Sequence, residues 1–194
     1  MKVEIIYPIY GQALPTNHNY QLYSSLCSWN AQIKELDWQL KTINGFSDHQ
    51  GKIHLGSNST LAIRCNVKDL AAWMDLQEVE LAVNSYRLKV GQADIKMLTG
   101  SPCLRSRMVT IKHQGKFGNL AKQQFRDCLL YKLFDLGIRC DVKVEEYRKI
   151  EVSHRSVFGY GVRLTGLDEE SSKLIQEFGL GGRKRMGCGY FEPK

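Results

Sequence analysis

The sequence predicts an α+β protein built from two halves of the same element order, βαββαβ, with a glycine-rich loop near the carboxyl end. Three observations carry this reading. Short runs of alternating apolar residues, bounded by turn residues, indicate half-buried strands. Two stretches in each half place apolar side chains at helical spacing. The order of these segments then repeats after a seam at Leu98-Thr99-Gly100-Ser101-Pro102. The halves are therefore taken as residues 1–100 and 101–194.

In the first half, Val3, Ile5, Tyr7 and Ile9 alternate as in a strand. A helix is expected after Pro15, capped by Thr16 or Asn17, with Leu22, Leu26, Trp29, Ile33 and Leu36 on one stripe. Two strands, 38–46 and 52–65, come next, the second folded or bulged at Gly56-Ser57-Asn58. Asn66 then caps a shorter helix bearing Val67, Leu70, Ala71 and Met74, and strand-like segments fill 79–98.

The second half opens with a strand over 103–112. A helix from about Asn119 buries Phe125, Leu129, Leu133 and Leu136, and Gly137 stops it. Strands follow at 138–147 and 149–164, the latter interrupted at Gly159-Tyr160-Gly161. Asp168 caps a last helix carrying Ile175 and Phe178, which Gly179 ends. In each half two helices can cover one face of an antiparallel sheet.

The composition, 43% hydrophobic and 24% charged, is that of an ordinary folded protein and argues against disorder. No apolar run nears the roughly 20 residues of a spanning helix, and the N-terminus turns polar too early for a secretion signal. The six cysteines form no Cys-x-x-Cys pair, which argues against a structural zinc site and a disulfide framework. A reduced cytoplasm is the expected compartment, and no metal or cofactor is expected. Charge is distributed unevenly. Residues 1–100 hold nine Lys/Arg and nine Asp/Glu, whereas residues 101–194 hold 18 and 11, so the whole net charge of +7 lies in the second half. This asymmetry points to an acidic partner, and the excess on strands and loops favours nucleic acid over a membrane.

The loop Gly179-Leu180-Gly181-Gly182-Arg183-Lys184-Arg185-Met186-Gly187-Cys188-Gly189 concentrates that chemistry. Glycine lets backbone N–H groups approach an anion, and three successive cations can reach phosphates. Neither the P-loop nor the dinucleotide fingerprint fits these residues or their context. The plainer alternative is a helix cap at Gly179 followed by a hairpin with solvated arginines. Arg105, Arg107, Lys112 and Lys116 form a second basic group, in which alternation puts Arg105 and Arg107 on one strand face. His154 and Arg155, near Gly159 and Gly161, can also touch nucleic acid or assist chemistry; His49, His54 and His113 read as surface or binding residues.

Taken together, the element order, the loop and the segments 14–23 and 102–112 resemble the repeat-associated RNA-binding (RAMP) superfamily of CRISPR systems. Within it the chain resembles the repeat-processing endoribonucleases, in a compact form. The resemblance implies two tandem ferredoxin-like (RRM-like) halves. It also implies metal-independent cleavage of precursor RNA beside a repeat hairpin, by 2′-hydroxyl attack, leaving a 2′,3′-cyclic phosphate and a 5′-hydroxyl. It implies CRISPR repeat RNA as partner, before and after cleavage, and further subunits of a crRNA-guided complex. A non-catalytic RNA-binding subunit of such a complex would share the fold and the loop.

The family commonly places a histidine close to the start of the first helix, where His18 stands. Histidine suits proton transfer near neutral pH, and a helix N-terminus attracts anions. Tyr20 and Tyr23 lie within one turn and can donate a hydrogen bond or pack a base. The catalytic reading requires the His18 imidazole to be reachable from the cationic surface; burial in the interior would leave only a gripping role.

Overall fold

The computed structural model describes residues 1–112, 120–153 and 155–194. The chain divides into two units, Met1–Met97 and Leu98–Lys194. The fold is mixed α+β.

The first unit contains β1 (Lys2–Tyr10), β2 (Ala13–Pro15), α1 (Asn19–Trp29), β3 (Trp38–Lys41), β4 (Phe46–Ser47), β5 (Lys52–His54), β6 (Thr60–Asn66), α2 (Ala71–Met74), β7 (Glu80–Val83), β8 (Tyr86–Val90) and β9 (Asp94–Met97). Its main sheet runs β3-β6-β1-β8-β7, and β9 also pairs with β1. Strand β1 shares one edge between two neighbours: residues 3–6 pair with β9, and Ile9 and Tyr10 pair with β8. The alternation read in β1 holds, since Val3, Ile5, Tyr7 and Ile9 are all buried. Strands β2, β5 and β4 form a separate small sheet.

An aromatic cluster closes this core. Trp38 meets Trp73 edge-on at 4.9 Å, while Tyr23 stacks on Trp38 and Trp29 tilts onto Trp73. Two of the buried polar tips have a backbone acceptor, whereas the Trp73 indole N–H has none among the described residues. The Trp38 indole donates to Ile33 O at 2.8 Å, and the Tyr7 hydroxyl donates to Trp73 O at 2.7 Å. Burial pushes the Tyr7 phenol well above its ordinary pKa.

Several expectations change here. Helix α1 ends at Trp29, because Asn30 turns extended and its side chain caps a short 3-10 turn, accepting from Gln32 N at 3.0 Å. Ile33 belongs to that turn, so the apolar stripe outlasts the helix. His18, rather than Thr16 or Asn17, stands at the N-cap, and its side chain makes no capping bond. After Asn66 comes a 3-10 turn and then only four residues of α2, whose buried residue is Trp73; Val67 is exposed. The segment 38–46 contains β3 and the first residue of the separate strand β4, and 52–65 is divided into β5 and β6.

The second unit contains β10 (Cys103–Val109), α3 (Lys122–Asp135), β11 (Asp141–Val152), β12 (Arg155–Thr165), α4 (Glu169–Phe178) and β13 (Glu192–Pro193), in the sheet order β11-β12-β10-β13. Both helices contribute to one core with the sheet: Phe125, Leu129, Leu133 and Ile175 pack with Leu104, Val142, Val144, Val162 and Leu164. Helix α3 ends in a paired hydrogen-bond motif, Gly137 N to Phe134 O and Ile138 N to Leu133 O, both 2.9 Å. Gly137 takes φ +72, as a glycine stop requires. Leu133 is both core and terminus here, so Leu133→Ala is expected to cost about 2–5 kcal/mol in a urea unfolding curve. A loss well below that range would show that the helix end repacks.

Strands β11 and β12 run on as one long hairpin, past the turn expected near residue 148. Gly159-Tyr160-Gly161 does not interrupt β12. These glycines admit close neighbours: a Cβ at Gly159 would stand 2.2 Å from Val109 O. Leu136 and Phe178 are exposed rather than buried, each falling at the last turn of its helix.

Candidate nucleic-acid interface

The glycine-rich loop begins where α4 stops. Asp168 caps that helix by accepting from Ser171 N at 2.7 Å, which holds its carboxyl below the usual carboxylate range. Gly179 ends it with φ +62 and donates its N–H to Ile175 O at 2.8 Å. The chain then folds back on itself. Leu180 N donates to Gly189 O at 3.3 Å, closing the base, and a 3-10 turn over Lys184–Met186 forms the tip.

This loop is pinned to the strand it follows in space. Gly182 N donates to Thr110 O at 2.9 Å, and the Thr110 hydroxyl donates back to Gly182 O at 3.0 Å. Gly189 N donates to Met108 O at 2.7 Å. The close approach requires glycine. A Cβ at Gly181 would stand 2.3 Å from Thr110 O, and one at Gly189 would stand 2.1 Å from Leu180 O.

These contacts correct the sequence reading of the glycines. The N–H groups of Gly179, Gly182, Gly187 and Gly189 meet the carbonyls of Ile175, Thr110, Lys184 and Met108. They are engaged within the protein and are not presented as an anion cradle. The physical reason is that β13 pairs with β10 only at Leu104 and Arg105, so carbonyls farther along that segment need other donors. The glycines therefore shape the loop, and Arg183, Lys184 and Arg185 are carried at its half-buried tip. Arg183 itself holds a left-handed backbone, φ +59. Beneath it, burial pushes the Cys188 thiol up to about 12, although Arg183, Thr110 and Arg107 pull the other way. That thiol is inert near neutral pH.

Arg105 and Arg107 do not act as one pair. A bulge between Ser106 and Val109 separates them. The Arg105 guanidinium donates to Glu145 at 2.7 Å, and Arg163 reaches the same carboxylate at 3.3 Å. Arg107 lies instead near Arg148 and Cys188; desolvation and the Arg148 charge lower its pKa. Lys112 is exposed just beyond β10, and Arg155 stands at the hairpin end, opposite Val152. Lys116, His113 and His154 lie outside the described residues. Arg148, Arg163 and Glu145 had escaped the sequence reading; the strand alternation through Lys143 and Arg163 was the available signal.

In the first unit, the accessibility required of His18 is not met. Its side chain is fully buried, with Nδ1 2.8 Å from Pro15 O. A carbonyl oxygen only accepts, so Nδ1 carries a proton in this contact, and in the neutral form of the ring the lone pair lies on Nε2. That tautomer suits a base, yet nothing outside the protein can touch it in this conformation. Tyr23 is half-buried, its ring stacked on Trp38 against the core. Tyr20, half-buried, remains within reach of solvent.

Comparison with known proteins extends over the whole chain. A family model described as Cas6 Crispr matches residues 3–194. The chain is 30% identical over 192 residues to the CRISPR-associated endonuclease Cas6 of Myxococcus xanthus strain DK1622, covering 98% of this chain and 81% of that protein. Among solved structures it resembles the product of a Cas6-related gene from Pyrococcus furiosus, with a TM-score of 0.68 at 17% identity over 99% of this chain and 98% of the other. It also resembles Thermus thermophilus Cse3 bound to an RNA representing a pre-cleavage complex, with a TM-score of 0.59 at 15% identity over 99% and 98%. At such identities the structures speak for the fold, and the family match speaks for the lineage. This chain belongs to the Cas6 family of CRISPR proteins.

Proposed function

We propose that the chain is an endoribonuclease that binds the hairpin of CRISPR repeat RNA and cuts precursor RNA beside it. The observation that carries this reading is the similarity, over 98% of this chain, to a protein named as a CRISPR-associated endonuclease. The RNA-bound Cse3 of the same fold and the concentration of positive charge in the second half add support. The strand orders β3-β6-β1-β9 and β11-β12-β10-β13, each with helices after its first and third strands, support the reading of two ferredoxin-like halves.

The proposed reaction needs no metal. The 2′-hydroxyl loses its proton and attacks the adjacent phosphorus, the P–O5′ bond breaks, the departing O5′ takes up a proton, and a 2′,3′-cyclic phosphate and a 5′-hydroxyl remain. His18 is buried, against the condition set for it, so it can accept the 2′-hydroxyl proton through Nε2 only if RNA binding uncovers the start of α1; the family match, and not His18, carries the nuclease reading. Tyr20 is the neighbouring group already reachable by RNA. Retention of the cut RNA and assembly with other CRISPR subunits, in the cytoplasm, complete the proposal.

One observation favours a second reading, an RNA-binding subunit without catalysis: the sealed His18 side chain. Incubating the protein with repeat RNA in EDTA and analysing the ends separates the two. Cyclic phosphate and 5′-hydroxyl ends support the nuclease; intact RNA held in a complex supports the binding subunit.

The loop cations make a separate prediction. Replacing Arg183, Lys184 and Arg185 together by alanine is expected to weaken RNA binding and to reduce the slope of log affinity against log salt by about 0.7–0.9 per lost phosphate contact. An unchanged slope in a titration from low to moderate salt would remove the loop from the interface.

A further inference from the structure

The sheet of the second unit carries a charge pattern on the face opposite its helices. Lys143, Arg163 and Arg105 are direct partners across β11, β12 and β10. Alternation puts them away from Val142, Val144, Val162 and Leu164, which pack with α3 and α4. Three cations thus stand side by side, although like charges directly opposite destabilise a sheet. Glu145 offsets part of this repulsion. It accepts from Arg105 at 2.7 Å and meets Arg163 at 3.3 Å, with only 7% of its side chain exposed. Burial alone would raise its pKa, but the Arg105 hydrogen bond and the Arg105 and Arg163 charges hold it below the usual value.

Local backbone irregularity builds this arrangement. The bulge in β11 between Val144 and Tyr147 sets Glu145 against Gly161. A Cβ at Gly161 would meet both the Cβ and an Oε of Glu145 at 3.2 Å, so the glycine leaves room for the carboxylate. Four residues back along β12, about 13 Å away, Arg148 stands opposite Gly159 on the same face. Arg107 is close enough to Arg148 for the two charges to repel. The Nε–H groups of Arg148 and Arg163 are buried and have no acceptor among the described residues. About a third of each side chain is exposed, so the outer guanidinium nitrogens, which also meet Glu146 at 3.7 Å and Glu145 at 3.3 Å, are the groups a ligand can reach.

We propose that this face is a phosphate track for the backbone of bound RNA. Arg163, Arg105 and Lys143 hold one phosphate, and Arg148 with Arg107 holds another. Glu145 is a positioning residue that keeps Arg105 and Arg163 aimed at the first. Two cationic points in line along one strand suit a repeating polyanion, whereas a small anion would use only one. The proposal rests on the RNA-binding reading above.

The test measures affinity for oligouridylate and for an unrelated RNA hairpin across a salt series, because backbone contacts carry no base information. Arg148→Ala and Arg163→Ala are each expected to lower the salt slope by about 0.7–0.9 on both RNAs. Lys173→Ala, on α4, is expected to leave it unchanged. A slope unchanged in both arginine variants, or changed in only one, overturns the two-point track. Glu145→Gln decides the positioning role by sign. Binding several-fold weaker, despite removal of a negative charge, supports it; binding equal to or tighter than that of the parent overturns it. Gly161→Ala, which crowds the same carboxylate, is expected to weaken binding likewise and stands in if Glu145→Gln melts early. Failure of the unmodified protein to bind either RNA would overturn the RNA-binding reading itself.

Discussion

Replacing His18 by alanine is expected to slow RNA cleavage by about 10²–10⁴-fold, the usual contribution of a positioned acid or base, with hairpin affinity retained. The tautomer argument supports the role: Pro15 O holds the Nδ1 proton, leaving Nε2 able to accept one. Burial makes the test sharper, because the same side chain also has structural weight. Its loss leaves Pro15 O without that donor, and a fall in stability of about 1–3 kcal/mol is expected. Cleavage must therefore be measured well below the variant's melting temperature and at saturating protein. A folded variant that cuts at the parent rate assigns His18 to the interior and removes it from the reaction. Tyr20→Phe would then be the next variant to assay, since Tyr20 is the reachable neighbour.

Gly189→Ala is expected to destabilise the second unit by at least about 2 kcal/mol, more than the usual strain of a left-handed alanine. Two effects combine. The residue holds φ +68, and an added Cβ would stand 2.1 Å from the Leu180 carbonyl oxygen. Relieving that clash would open the base of the loop and release the Gly189 N bond to Met108 O. The Arg183-Lys184-Arg185 tip would lose its support, so RNA affinity should fall with stability. Gly137→Ala provides the contrast. Its φ is +72, yet nothing lies within 4 Å of the added Cβ. It should cost only about 1 kcal/mol, the lower end of the left-handed strain of an L-residue, and leave RNA binding unchanged. Thermal melts and binding curves of the two variants check both statements; similar melts would mean that the loop closure carries little stability.

Much of the molecule was legible from local pattern. Period-two alternation in β1 and the helical spacing of Phe125, Leu129 and Leu133 follow from which face meets the core, and both hold. Asp168 and Gly179 mark the ends of α4 because caps are local chemistry. The failures are equally local in origin. Ile33 keeps a helical spacing after the helix has ended, because a 3-10 turn can bury the same side. An interruption of β12 was expected because Gly159 and Gly161 look like punctuation in a sequence, whereas here they admit Val109 O and Glu145.

The candidate site was legible in composition and not in geometry. Residue types alone determined that the positive charge gathers in the second half, that a basic glycine loop follows the last helix, and that a histidine precedes the first. Only the tertiary structure decided where those groups point. The loop amides satisfy the carbonyls of Met108 and Thr110, Arg105 and Arg107 part at a bulge, and His18 lies inside against Pro15 O. The reason is physical: propensity and charge belong to each residue, whereas hydrogen-bond partners and solvent access depend on chain segments distant in sequence.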